Sequence, residues 1–256
     1  MGTVLGRYDA SAMRGLFEEA GVLGALAERG FTAIEVLVDA ADRAPSHTLL
    51  FGCKDGVRFQ LLDAIVVEAT IEADFFAARG YPTERPIELA VVYWLREEDP
   101  TAAFSAGRPA LPLQRHPGLG ILRRAFRVIV RMAGELGKDG VASMPKLFHD
   151  AVIFFRSRLF LFLDGADQGR FEALVRDLRP LPLGDASVAL VGGCVRDMAG
   201  AVVPWAPGFM VFPLSATLTG YLHSPEYTAQ VERGLEQCRF TWDPAAVARA
   251  RVTVTG

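Results

Sequence analysis

Residues 115–124 read Arg-His-Pro-Gly-Leu-Gly-Ile-Leu-Arg-Arg, and their types and spacing describe a place for an anion. Gly118 and Gly120 have no Cβ, so the backbone there can turn sharply and bring its N–H groups close to a ligand. Apolar periodicity begins at Ile121, which predicts a helix starting directly after the second glycine. The first N–H groups of a helix have no intrahelical partner, and that end carries partial positive charge. Acids suit it, yet its first turn holds Arg123 and Arg124, with Arg115 and His116 just upstream. Cations there cost a few tenths of a kcal/mol to about 1 kcal/mol, a penalty that a bound anion reverses. A pyrophosphate held by the N–H groups of Gly118, Leu119, Gly120 and Ile121 is one reading. A plain turn followed by solvated arginines is the other, and this stretch alone leaves both open. Arg123 stands where the third glycine of a GxGxxG dinucleotide loop belongs, and the GK[ST] of a nucleotide-triphosphate loop is missing.

The elements that must position this loop follow from hydrophobic periodicity. Asp9 or Ser11 caps an amphipathic helix lined by Met13, Leu16, Phe17, Leu23 and Leu26 and stopped by Gly30. A half-buried strand follows in FTAIEVLVD. Two further strand-like runs are joined at Lys54-Asp55-Gly56, a hairpin signal, and a longer aromatic strand lies in RPIELAVVYWLRE. A Pro- and Gly-bearing connection leads to the loop. After it come the helix over 121–136, ended by Gly137, a short strand GVASM, a helix KLFHDAVIFFRSR and a strand LFLFLD. The alternation predicts a mixed α/β fold, a central mixed sheet flanked by helices. From about residue 166 the pattern changes to a helix in DQGRFEALVRDL, a break at RPLPLGD, strand-like pieces, a helix in EYTAQVERGLEQ and a final strand CRFTW. The expected organisation is a domain over 1–165 and an α+β C-terminal extension over 166–256.

At Arg115, Gly118 and Gly120 the loop resembles the R/Q-x-x-G-x-G/A signature of the GCN5-related N-acetyltransferase (GNAT) superfamily. In that superfamily the loop joins strand 4 to helix 3 and holds the pyrophosphate of an acyl-coenzyme A. The later stretch AVIFFRSRLF is similar to the family's A-x-x-F-Y-x-x-x-G-F helix, through Ala151, Phe154, Phe155 and Phe160. The resemblance covers roughly residues 86–163 well and the N-terminal helix and hairpin acceptably. Two positions depart from it. Phe155 stands where many members carry the tyrosine that protonates the departing thiolate, and Leu159 replaces a glycine.

The resemblance implies transfer of an acyl group, acetyl or longer, from acyl-coenzyme A or an acyl carrier protein to an amine on a small molecule or peptide. An alkyl ammonium has a pKa near ~10.4, so the attacking amine must first lose a proton. Glu88, on the strand before the loop, is the candidate base, with a solvated strand-end carboxylate as the plainer alternative. Tyr93 is the candidate acid in place of the missing tyrosine, or else an aromatic packed against Trp94. His149, in the first turn of the following helix, either handles a proton or simply caps and packs. Arg115, His116, Arg123, Arg124 and Phe155 join the loop residues as expected coenzyme A contacts. A catalytically inactive thioester-binding or scaffold module is the competing expectation.

Composition narrows the rest. With 51% apolar residues in 256, the chain can bury a substantial core. A net charge of −3, from 27 basic and 30 acidic residues, argues against bulk electrostatic binding of nucleic acid. Cys53, Cys194 and Cys238 are sparse and unpaired in spacing, which suggests a reducing compartment and a cytoplasmic protein. The four histidines share no ligand-like spacing, so no metal is expected. Apolar runs are too short for a membrane span. The C-terminal extension is expected either to shape the acceptor site or to make a homodimer contact.

Overall fold

The computed structural model describes residues 2–39, 45–105, 107, 109–157 and 160–255, with side chains in the last segment described as far as Arg251. The fold is mixed α/β, with helices and strands interleaved along the chain. The chain divides into two compact units, each discontinuous in sequence. The first comprises Met1–Ile71, Ile87–Phe104 and Arg115–Val141, and the second Glu72–Pro86, Ser105–Gln114 and Ala142–Gly256. Residues 142–165, grouped with the N-terminal domain on sequence grounds, therefore fall in the second unit.

The first unit begins with α1 (Ala10–Glu19), α2 (Val22–Glu28) and strand β1 (Thr32–Asp39). The sequence reads as one helix to Gly30, but the helix breaks at Gly21, whose φ of +75° makes it the N-cap of α2. Asp9 caps α1 as expected, its Oδ1 accepting from the Ala12 N–H at 2.8 Å. β2 (His47–Lys54) and β3 (Val57–Ile71) form the expected hairpin. Its two turn residues, Asp55 and Gly56, both have positive φ, +52° and +76°. That is the two-residue turn whose twist matches the strands it joins. β3 leads into the short helix α3 (Ala73–Ala77), which belongs to the second unit, before the chain returns as β4 (Ile87–Glu97).

β1, β2, β3 and β4 pair antiparallel in that order. The β3–β4 register slips once: Ile65 faces Trp94, but Val66 faces Val92. Tyr93 is thus an extra residue on β4 with no partner opposite, a β-bulge in the middle of the ladder. The connection after β4 reaches the glycine loop and then α4 (Leu122–Glu135), which buries Ala125, Val128, Ile129, Met132 and Ala133 on one face. β5 (Gly140–Ser143) follows and is buried throughout. Just before it, Asp139 clamps the start of β4. Its N–H donates to the Glu88 carbonyl at 2.7 Å, and its Oδ2 accepts from the Glu88 N–H at 2.9 Å.

The second unit adds α5 (Phe148–Arg156), β6 (Leu161–Phe162), α6 (Gly165–Asp177), α7 (Leu183–Val191), β7 (Val195–Arg196), β8 (Met210–Pro213), α8 (Ala216–Leu222), α9 (Pro225–Gln237), β9 (Thr241–Trp242) and α10 (Pro244–Thr255). β6 pairs with β8 and β7 with β9, both antiparallel. α6 and α9 meet backbone to backbone. A Cβ on Gly169 would lie 2.2 Å from the Val231 carbonyl, and one on Gly234 would lie 2.9 Å from the Ala166 carbonyl. Phe148, Phe162, Phe171 and Trp205 pack edge-on or tilted into one aromatic cluster. The phenol groups of Tyr221 and Tyr227 donate to the carbonyls of Leu163 and Phe162, so these buried rings leave no hydroxyl unpaired.

Two expectations for this unit change. The strand LFLFLD shortens to Leu161–Phe162, helices α7 and α8 form where the sequence suggests a break and extended pieces, and α10 follows the last expected element, the strand CRFTW. α7 buries Ala186, Ser187, Val188, Ala189 and Leu190 in succession, so it has no polar face to give a helical period. Among the described residues, no helix is long and apolar enough to cross a membrane. None of them form a group of three or more His, Cys, Asp or Glu that could hold a metal ion. The three cysteines are free thiols.

Candidate functional site

The site is built at the end of β4. Leu119 and Ile121, 0% and 1% exposed, drive their side chains into the core of the first unit and leave Gly120 at the surface between them. Gly120 has φ of +70°, a conformation that favours glycine. α4 therefore starts with Ile121 as N-cap, no side-chain cap and no acid in its first turn. The acid comes from elsewhere in sequence. Glu97, the last residue of β4, turns its carboxyl under the loop, and a Cβ on Gly118 would sit 3.0 Å from its Oε1. Burial raises the pKa of Glu97; the N–H groups of Leu119, Gly120 and Ile121 and the charge of Arg29 pull it back only in part. Its Oε2 is buried without a hydrogen bond.

Arg29, from the end of α2, lies over the same turn. One of its terminal guanidinium nitrogens, Nη2, would be 3.3 Å from a Cβ on Gly120, and Nη1 pairs with Asp99 at 3.4 Å. Asp99 is buried, which raises its pKa, but hydrogen bonds from Thr101 and the charges of Lys54 and Arg29 outweigh burial and hold it low. Its backbone N–H also donates to the Pro117 carbonyl at 2.7 Å, fixing the loop's entry. The turn is thus flanked by one ionised acid that orients Arg29 and one acid whose burial favours the proton.

The arginines of the loop divide into two groups. Arg115 and Arg123 are exposed, and His116 is half-buried. Arg124 is directed to the α1–α2 junction, its Nε 3.6 Å from a Cβ on Gly21. Arg127 donates to the Ala20 carbonyl at 3.1 Å, and Arg131 pairs with Glu19 and Glu135. Arg124, Arg127 and Arg131 therefore form one helical row docked on the carbonyl end of α1, where cations are favoured. That gives Arg124 a structural reason that the sequence pattern does not show.

The three residues proposed to move protons are not brought together. Glu88 accepts from Thr70 at 2.9 Å and lies 3.7 Å from Lys138, which also holds Glu68 at 2.6 Å. Along the extended strand Glu88 is about 16 Å from Tyr93, five residues on. Tyr93 is 65% exposed at the bulge, roughly 13 Å from Glu97 by the same rise, rather than packed away.

His149 and Phe155 lie in the second unit. His149 is 5% exposed, with Nδ1 2.8 Å from the Ser187 hydroxyl and Nε2 3.3 Å from Asp150. Burial lowers its pKa, which Asp150 only partly opposes, and burial raises that of Asp150. It ties α5 to α7. Phe155 packs edge-on against Phe171, ring centroids 5.3 Å apart. Leu159 lies outside the described residues.

Glu97, Arg29 and Asp99 are the residues that sequence reasoning misses. Glu97 and Asp99 stand in the acidic run Glu97-Glu98-Asp99, and only the path of the chain at the end of β4 decides which of the three turn inward. No protein-family model matches this chain, and no curated protein matches it.

Proposed function

We propose that this chain is an N-acyltransferase of the GNAT kind, which binds an acyl-coenzyme A at the glycine loop and passes its acyl group to an amine. The observation that carries the reading is a pairing of two features: a bulge at Tyr93 on β4 and a glycine turn that lies against Glu97, the last residue of that strand, and against Arg29. A glycine turn leading into a helix with no acid in its own first turn suits the diphosphate of the donor. A bulge interrupts the strand ladder locally, and in this reading the backbone N–H at Tyr93 polarises the thioester carbonyl.

In this reading a neutral amine attacks the carbonyl carbon, the C–S bond breaks, and the sulfur takes a proton as the amide nitrogen loses one. The exposed Tyr93 hydroxyl is the donor nearest the bulge. Glu88, paired with Lys138 and some 16 Å away along the strand, is too far for direct proton transfer, so the amine is deprotonated through solvent.

The test is free-thiol release from acyl-coenzyme A donors of increasing chain length, with a panel of amines. Turnover above the uncatalysed rate that falls at least about tenfold in Tyr93→Phe supports the reading, since positioned acids contribute about 10²–10⁴ in rate. Phe155 carries no hydroxyl and is packed in an aromatic cluster, which favours a non-catalytic thioester-binding module as the second reading. Tight coenzyme A binding with no turnover by any pair would establish that module instead.

A further inference from the structure

We infer that the second unit carries a binding site for a long-chain carboxylate, a fatty-acid anion, in a cavity between α5, α6 and α7. The site does not depend on the acyl-coenzyme A reading. The cavity measures about 690 Å³, within the range of about 300–1,000 Å³ that small-molecule sites occupy. Pro180 and Pro182 lack the N–H that a continuing helix needs, so α6 ends at Asp177 and α7 begins only at Leu183. Leu181 and Pro182 of that connection line the cavity together with residues of the three helices.

Its floor and its rim differ in chemistry. Phe148 and Val152 of α5, Leu178 after α6 and Ala186 of α7 are buried against it. Phe155 and Leu183, half-buried, continue the apolar wall. Four lining residues are charged: Arg156, Glu172, Arg176 and Arg179. Arg156 and Arg179 are exposed, and among the described residues neither guanidinium has a hydrogen-bond or ion-pair partner. Arg176 is committed to Asp177 and to the carbonyls of Leu235 and Cys238, and Glu172 accepts from Gln168 at 2.8 Å. Arg176 and Asp177 cancel, so Arg156, Arg179 and Glu172 leave one net positive charge at the cavity.

An apolar hollow with a cationic rim complements a molecule with an apolar body and one anionic end. A guanidinium fork holds a carboxylate bidentately, and an alkyl chain gains with each methylene that leaves water. A wholly apolar ligand would leave both arginines unused, and a cation would meet them as like charges. Carbonyl ends of helices favour cations, which accounts for arginines at the ends of α5 and α6 but not for the apolar hollow beside them.

The test is calorimetric titration of the full chain near neutral pH with octanoate, decanoate and dodecanoate. One chain should bind per protein, and each added methylene should tighten binding by about fourfold. Arg156→Gln and Arg179→Gln should each weaken decanoate by about tenfold or more and leave decanol unchanged. Glu172→Gln should tighten decanoate, because it removes a like charge. Val175→Trp, which fills the cavity from α6, should abolish binding. The arginine variants change exposed positions, so the test stands even where the tryptophan variant fails to fold. No binding by any of the three acids, more than one chain bound per protein, decanoate affinity untouched by both arginine substitutions, or decanol bound as tightly as decanoate would overturn the site. None of these outcomes bears on coenzyme A binding at the glycine loop, so the two readings fail separately.

Discussion

The glycine loop of the first unit and the α5–α7 region of the second both collect polar groups beside apolar ones, but they treat them oppositely. At α5 and α7 every polar group in question has a protein partner: His149 meets Ser187 and Asp150, Leu147 donates its N–H to Asp150, and Phe155 is walled in by Phe171. At the loop, Gly120 is exposed with positive φ, α4 starts uncapped and Glu97 Oε2 has no hydrogen bond. A packed protein satisfies its buried polar groups unless something else is to satisfy them. The comparison separates polar groups that pair with one another from a turn whose acid, Glu97, keeps one oxygen without a hydrogen bond, and it puts His149 among the groups that hold the fold.

The sharpest break in that comparison lies at the α6–α9 contact. Gly169→Val drives a side chain into the Val231 carbonyl and should cost more than about 4 kcal/mol, enough to prevent cooperative thermal unfolding by circular dichroism. Gly120→Val should do the reverse, leaving the chain folded while weakening coenzyme A by about 100-fold or more in calorimetry. It forces a branched residue to φ of +70° and pushes a side chain against Arg29. A Gly120→Val protein that binds normally would make the loop an ordinary turn.

The arginines allow a finer cut. Arg123 is exposed at the helix start, whereas Arg124 rests on Gly21. Arg123→Glu should therefore lower coenzyme A affinity by about tenfold, the worth of one charge-assisted contact, with little change in unliganded stability. Arg124→Glu should instead lower the melting temperature. Equal effects of the two on binding would erase the distinction between them.

The smallest effect concerns acid. The folded pKa of His149 is depressed, so the unfolded chain binds a proton first as pH falls below about 6.5. The stability contributed by neutral His149 is present above that value and is lost below it. Between pH 7.5 and 5.5 the melting temperature should fall, and His149→Gln, which keeps a group able to bond Ser187, should abolish part of that fall without altering coenzyme A affinity. A change in affinity would return His149 to the functional class.

The legible parts of the molecule were those with a period or a punctuating residue. Alternation gave the strands β1–β4, Asp55-Gly56 gave the hairpin turn, and the 3.6 period gave α4 with Gly120 before it. The bulge at Tyr93 was not legible, because a one-residue slip depends on pairing with β3 and leaves no mark on β4 alone. α7 and α10 were hidden for the opposite reason to α4: burial on most sides, or a weak apolar pattern, leaves no face to read. In the site, the loop was legible and its acid was not. A first turn without Asp or Glu poses the question, but the answer, Glu97, is more than twenty residues earlier and reaches the loop only through the path of the chain after β4.

The central claim is that the backbone of Gly118–Ile121 is a phosphate site, and amide chemical shifts report on it directly. In a ¹⁵N-labelled sample titrated with coenzyme A at pH 6.5, the N–H resonances of Leu119, Gly120 and Ile121 should move furthest and saturate together. Those of His149 and Ser187 should stay within the range of residues remote from any ligand. Saturable shifts centred on His149 and Ser187 with the loop amides unmoved, or no saturable shift anywhere, would contradict the account.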